Sequence, residues 1–378
     1  MSRKKELSEK DHQEVEAILE KIFDGLSGEF TKDIDYLNKN ILKYCGHRLG
    51  KDILAGCLQI ARIRFPRPIA EFLGAQLMKY LFGSSRRIDF AEILFMRGKY
   101  EKAIRILRNT KRRVLAATYA FDDTLAGKLC FANFFEESFC ARFYKTKGCQ
   151  HPTGHVFTRL YLLWGRILAV QGKIKEARKM WERAMRFAPV SFEVNALYAE
   201  TFRTEKNLDE YRDQTLRLFK IAYRPDQIAS CYQNLGDYFA DQKIYDAAHV
   251  CYYLGIRFDT EDTDDNLRAD YFRLERVSGI PYREIPAEEI DRICKERGIP
   301  NTPDPDILEL AESSARFFHK RRQFDETRRF LDIFLRLAEP FGHTAKIEEI
   351  KALADEISEQ GDKETRKKND ADGESEFL

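Results

Sequence analysis

The segment Cys149-Gln150-His151-Pro152-Thr153-Gly154-His155 places one thiol and two imidazoles within seven residues. Thiolate sulfur and imidazole nitrogen are zinc donors, and Cys140 or Cys130 could supply a fourth ligand. The spacing matches no standard finger, however, and Cys140 falls in a helix-forming run. The expectation is therefore a polar turn between helices, with no metal and no cofactor. The acidic run Asp259 to Asp265 (DTEDTDD) lacks the glycine and the terminal glutamate of a calcium loop. The pairs Asp122-Asp123 and Glu136-Glu137 are adjacent residues, which face apart on a helix and suit solvation better than catalysis. No phosphate-binding GxxxxGK[ST] or GxGxxG occurs, nor any GxSxG or HExxH. With no catalytic constellation left, the expectation is a protein that is not an enzyme.

Charge offers a second kind of chemistry. Over the 378 residues the net charge is +2, but residues 1–190 carry 36 Lys and Arg against 21 Asp and Glu, and residues 191–378 carry 28 against 41. From Ser138 to Lys175 there is no acid at all. Basic clusters stand at Arg62/Arg64/Arg67, Arg86-Arg87, Lys111-Arg112-Arg113 and Lys320-Arg321-Arg322. The first three share the positive half with aromatic residues, a combination that can hold single-stranded RNA or another polyanion. Lys111 to Arg113 would equally offset the dipole at a helix C-terminus.

These side chains must be positioned by helices. Hydrophobic residues make up 43% of the chain, too many for wholesale disorder. No uncharged stretch approaches the ~20 residues of a membrane helix. Met1 to Glu20 is charged throughout, so no secretory signal is visible. The eight cysteines form no CxxC pair. Free thiols in the cytoplasm and no membrane association are expected.

Thr158 to Ser191 reads as one helical hairpin. Tyr161, Trp164, Gly165 and Leu168 share a helix face, Gly172 breaks the pattern at a turn, and Ala177, Trp181 and Ala184 line a second helix that Pro189 stops. Ala229 to Asp262 repeats the pattern with Tyr232, Leu235-Gly236, Phe239, Tyr245, Ala248, Tyr252 and Gly255. Phe192 to Pro225 is a degenerate copy that departs at Tyr211 and Leu218; Ser84 to Ala117 is a fair match and Leu308 to Phe341 a weak one. The pattern resembles the tetratricopeptide repeat, a 34-residue helical hairpin.

The resemblance implies an all-α fold, an α-solenoid of tetratricopeptide-like hairpins with divergent N-terminal helices. It also implies a concave groove, lined by the first helix of each hairpin, for a peptide or helix of another protein. The groove-facing places are Arg159, Leu162 and Arg166, then Glu193, Glu200 and Arg203, then Gln233 and Asp237. Leu162 and Arg166 stand where family members that grip chaperone tails carry Lys and Asn, so that partner is not implied. The domain map runs as follows: a divergent helical region 1–83; a degenerate repeat and aromatic-rich helices 84–157; core repeats 158–262; a proline-rich interruption with one short helix 263–307; a C-terminal hairpin 308–362; and a disordered tail 363–378. Within it, Met1 to His12 is expected to fray, helices are expected at Glu14 to Phe23, Lys51 to Ile63 and Ile69 to Phe82, and Thr118 to Tyr144 is expected to form buried helices. The expected function is a cytoplasmic interaction scaffold or adaptor; the alternative is RNA or polyanion binding through the basic half.

Overall fold

The computed structural model describes residues 8–44, 47–65, 83–121, 128–144, 149–150, 152–258, 266–281, 283–341 and 346–353. Their regular structure is helical except for two strands of two residues each. The chain divides into two compact units, Met1–Val194 and Asn195–Leu378. The division falls inside the stretch 158–262 that the sequence reading treats as one set of repeats.

The first unit opens with α1 (Glu9–Asp24), α2 (Phe30–Tyr44) and α3 (Gly50–Arg64). α1 begins earlier than its apolar pattern announces, because Ser8 caps it and accepts from the Asp11 amide at 3.2 Å. Glu9 to His12 are thus helical and not frayed. Arg48 then pairs with Asp11 and Glu14 of this first turn. The helix expected at Ile69 to Phe82 lies outside the described residues, as do the DTEDTDD run, Asp122-Asp123 and the tail 363–378. Helix α4 covers 83–96, and α5 (Tyr100–Phe121) follows.

The stretch expected to form buried helices between the repeats is only partly helical. Lys128–Leu129 (β1) pairs in parallel with Cys149–Gln150 (β2). Gly154 lies so close to the Lys128 and Leu129 carbonyls that a side chain there would strike backbone. Helix α6 (Phe134–Phe143) starts where it does because the Asn133 side chain accepts from the Glu136 amide at 3.1 Å. Glu136 in turn accepts from the Ala132 amide at 2.7 Å, so it is a buried helix cap and not a solvated acid. Helices α7 (Pro152–Val170) and α8 (Ile174–Met185) complete this unit, apart from the start of α9 (Phe192–Thr204).

The second unit continues α9 and holds α10 (Leu208–Phe219), α11 (Pro225–Asp241), α12 (Tyr245–Ile256), α13 (Asn266–Ser278), α14 (Ala287–Arg297), α15 (Pro305–Lys320) and α16 (Phe324–Ala338). A further helical stretch, α17, covers 346–353.

Five helix pairs close in the same way: α4–α5, α7–α8, α9–α10, α11–α12 and α15–α16. Each turn holds one residue at positive φ, namely Gly98, Gly172, Lys206, Lys243 and Arg322, at 57–73°. The next amide reaches back to the carbonyl five residues earlier: Lys99 to Leu94, Lys173 to Leu168, Asn207 to Phe202, Ile244 to Phe239 and Gln323 to Phe318, at 2.8–3.1 Å. So short a reversal fixes which residues of the two helices meet. Seven places before the turn residue stand Ala91, Gly165, Ala199, Gly236 and Ala315. A Cβ on Gly165 would collide with the Trp181 ring, and one on Gly236 with the Tyr252 ring. Trp181 and Tyr252 each lie nine places after their turn residue.

Helix α10 exchanges the sizes. Five places after the turn, Ala103, Ala177 and Ala248 are small, but α10 puts Tyr211 there; nine places after, it puts Thr215 where others have Leu107, Trp181, Tyr252 or Leu331. Tyr211 and Thr215 are both fully buried. The large ring and the small side chain trade places along one face, a compensation that close-packed interiors tolerate.

Lys206, Lys243 and Arg322 occupy a backbone region that costs an L-residue free energy and glycine little. Replacing each with glycine is expected to raise stability by about 0.5–1 kcal/mol per site, while Gly172→Ala is expected to lower it by about 1 kcal/mol. Urea unfolding followed by circular dichroism checks both signs.

Candidate functional site

Polar chemistry in the second unit gathers around Arg203, near the end of α9. Its guanidinium pairs with Asp237 and, at 3.3 Å, with Asp241, one turn apart on α11. The Tyr252 hydroxyl, from α12, donates to the other oxygen of Asp237 at 2.7 Å. Further along α11, Gln233 donates to Asp270 of α13 at 2.7 Å, and Arg273 pairs with the same carboxylate at 2.8 Å. Glu200 stands one turn before Arg203 and makes no ion pair among the described residues.

Burial sets the electrostatics here. It pushes Asp237 up, Tyr252 and Arg203 pull it down, and Asp270 and Asp241 push it up again; the outcome is a raised pKa. Glu200 is also raised, first by burial and then by Asp237, against the pull of Arg203. Yet Glu200 is exposed to solvent. Arg203 is raised despite burial, held charged by Asp237 and its neighbours. Tyr211 reaches this cluster from α10: after burial, Glu200 is the strongest influence raising its pKa. Its hydroxyl has no hydrogen-bond partner of ordinary geometry.

In the first unit, the predicted groove residues of α7 are already engaged. Arg159 pairs with Asp89 of α4 at 2.7 Å and lies 3.9 Å from Glu92. Arg166 pairs with Glu193. Half-buried Leu162 contributes its carbonyl, which accepts from the Trp181 indole at 3.3 Å. Read as open charges in the sequence, both arginines are neutralised by their own chain.

One rule covers both units. Polar contacts join the first helix of a pair to the first helix of the next, Asp89 to Arg159 and Arg203 to Asp237; beyond the last pair, Glu312 and Arg316 of α15 meet Lys346 and Glu349 of α17 at 2.5–2.6 Å. Of the residues the sequence reading placed on one face, Arg203 pairs with Asp237 and stands one turn from Glu200, while Gln233 bonds to Asp270 instead. That reading missed Tyr211, Tyr252 and Asp270. The departure at Tyr211 was the available signal; Tyr252 reads as a packing aromatic, and nothing marks Asp270.

The possible zinc ligands do not converge among the described residues. Cys149 lies in β2, and His151 is outside the described residues. His155 is on α7, exposed, with its Nδ1 3.7 Å from the Cys130 sulfur. No group of three or more metal-ligating side chains forms among the described residues. Burial raises the Cys130 thiol and, with Arg159, lowers His155. Two cavities lie elsewhere: one of about 420 Å³ beside Pro305, Leu308 and Phe334, and one of about 290 Å³ beside Tyr271 and Phe272. Among the described residues no helix is long and apolar enough to cross a membrane. No protein-family model and no curated protein matches the chain.

Arg203→Ala is expected to cost about 1–3 kcal/mol at neutral pH, since it strands the half-buried Asp237 carboxylate. Without Arg203 that carboxylate rises further in the folded state. A raised acid favours folding as pH falls, so the loss should shrink between pH 7 and the ordinary carboxylate range. Tyr211→Phe removes a buried hydroxyl without a good partner and is expected to hold or raise stability. Urea midpoints at pH 7 and at about pH 5 test both variants.

Proposed function

We propose that the chain is an α-solenoid of tetratricopeptide-like hairpins and acts as a non-enzymatic scaffold in the cytoplasm. In this reading the faces of the first helices hold a peptide or helix of a partner protein. Arg159, Leu162, Arg166, Glu193, Glu200, Arg203, Gln233 and Asp237 belong to those faces. The observation that carries the reading is the link between successive first helices within each unit, Asp89 to Arg159 in the first and Arg203 to Asp237 in the second. The five equivalent turns support it too, because they give the pairs one packing register.

The chemistry of the partner follows from which charges are spent. Arg159 and Arg166 have partners in the chain itself. Around Arg203 the balance is acidic: Glu200, Asp237 and Asp241 surround a single guanidinium. A partner segment carrying Lys or Arg side chains fits that excess. Exposed charge of this kind acts mostly on encounter and specificity, and salt weakens it.

Selection of a random displayed peptide library on the full chain tests the reading. Enriched peptides are expected to carry Lys or Arg and to lose about tenfold in affinity, equal to 1.4 kcal/mol, with Glu200→Lys. Selection that enriches no sequence, or enriches acidic ones, would sink it.

A further inference from the structure

The first unit holds a cluster of the opposite sign that the groove does not use. Lys111 to Arg113 read as charges offsetting a helix C-terminus, but α5 runs on to Phe121, so they lie in mid-helix. Lys111 is half-buried there, with its ammonium 5.9 Å from the centre of the Tyr161 ring of α7. Arg183 of α8, also half-buried, has its guanidinium 6.0 Å from the same ring. Tyr161 is held in place by a stack with Phe157 and Phe187, at centroid separations of 5.8 and 6.4 Å.

Among the described residues, neither cation has an acid to answer it. Neither Lys111 nor Arg183 makes an ion pair among the described residues. α7 contains no Asp or Glu at all, and α5 contains only Glu101, ten residues from Lys111. On α8, Glu182 is adjacent to Arg183 and faces away, and Glu176 is two turns distant. Burial lowers the Lys111 pKa, and Arg183 and then Arg112 lower it further. Like charges brought together in a half-buried place destabilise the chain unless an anion joins them. Attraction to one aromatic face offsets part of that cost for each cation, without removing their mutual repulsion.

We propose that Lys111 and Arg183, seated against Tyr161 where α5, α7 and α8 meet, bind a phosphate group of a small ligand. A phosphate supplies the missing negative charge and several acceptor oxygens, and an ammonium and a guanidinium are its usual partners. The two cations are gathered at one ring, which suits one phosphate group rather than a polymer backbone whose charges recur along a track. The site is separate from the first-helix faces and does not depend on the scaffold reading.

Calorimetry on the full chain with inorganic phosphate and pyrophosphate, at constant ionic strength, tests the proposal. One-to-one binding is expected, weakened about tenfold or more by Lys111→Gln and by Arg183→Gln. The unliganded Lys111→Gln protein should keep its helical content and unfold at no lower temperature, because the substitution relieves repulsion. Absence of binding by either probe, or equal binding by both variants, would overturn the proposal. So would a loss of unliganded stability in Lys111→Gln with binding unchanged, which would make the lysine a packing element. A short single-stranded RNA forms the third arm. If it binds more tightly than pyrophosphate, with steep salt dependence and the same sensitivity to both variants, the ligand is nucleic acid and the small-ligand proposal fails.

Discussion

The hairpin turn is the constraint on which the rest depends. A single residue at positive φ reverses the chain within a few residues, and the amide after it ties the reversal to the end of the first helix. With no slack in the connection, the two helices meet in one register. That register requires a small residue on the first helix wherever the second carries a ring, as at Gly165 under Trp181 and Gly236 under Tyr252. Helix propensity would favour alanine over glycine at both positions. Steric contact decides otherwise, because a single added carbon would displace a buried aromatic side chain.

The same register shows what the degenerate α9–α10 pair changes. In α9–α10 the first helix keeps a small residue, Ala199, but the second presents Thr215 to it and moves its ring to Tyr211. The ring fills the core from a position whose hydroxyl lies beside Glu200 and Arg203. The Thr215 hydroxyl has no hydrogen-bond partner, and that of Tyr211 has none of ordinary geometry. Each such buried group costs about 1–3 kcal/mol. Departures from a local rule that carry a cost of this kind concentrate at functional sites, and this one lies beside the raised carboxylates of Glu200 and Asp237.

Much of the fold was legible because turns and packing write themselves into single positions. Gly172 marks its turn, Pro189 its helix end, and Ala287 to Arg297 has the bounds the proline-rich flanks suggest. Lys206, Lys243 and Arg322 hide the same turn, since a basic residue gives no hint of positive φ. The cap at Ser8 and the Asn133–Glu136 cap were readable in principle, as short polar signatures ahead of a helix, but they were masked by charge-rich or aromatic surroundings. The site was legible only as a face. Which charges on it remain open depends on partners far away in sequence: Asp89 is 70 residues from Arg159, and no local pattern joins them.

Net charge therefore misleads about surface chemistry in this chain. The basic half owes its excess partly to residues such as Arg159 and Arg166, whose charge the fold consumes. The acidic half contains Arg203, which takes up much of the charge of Asp237 and Asp241. What stays open is the remainder. In the second unit it is Glu200, accessible and held above its ordinary pKa by burial. In the first unit it is Lys111 and Arg183, repelling each other against one ring. Coulomb energy grows as the surroundings exclude water, so charges packed against protein interact more strongly than the larger number of solvated lysines and glutamates around them.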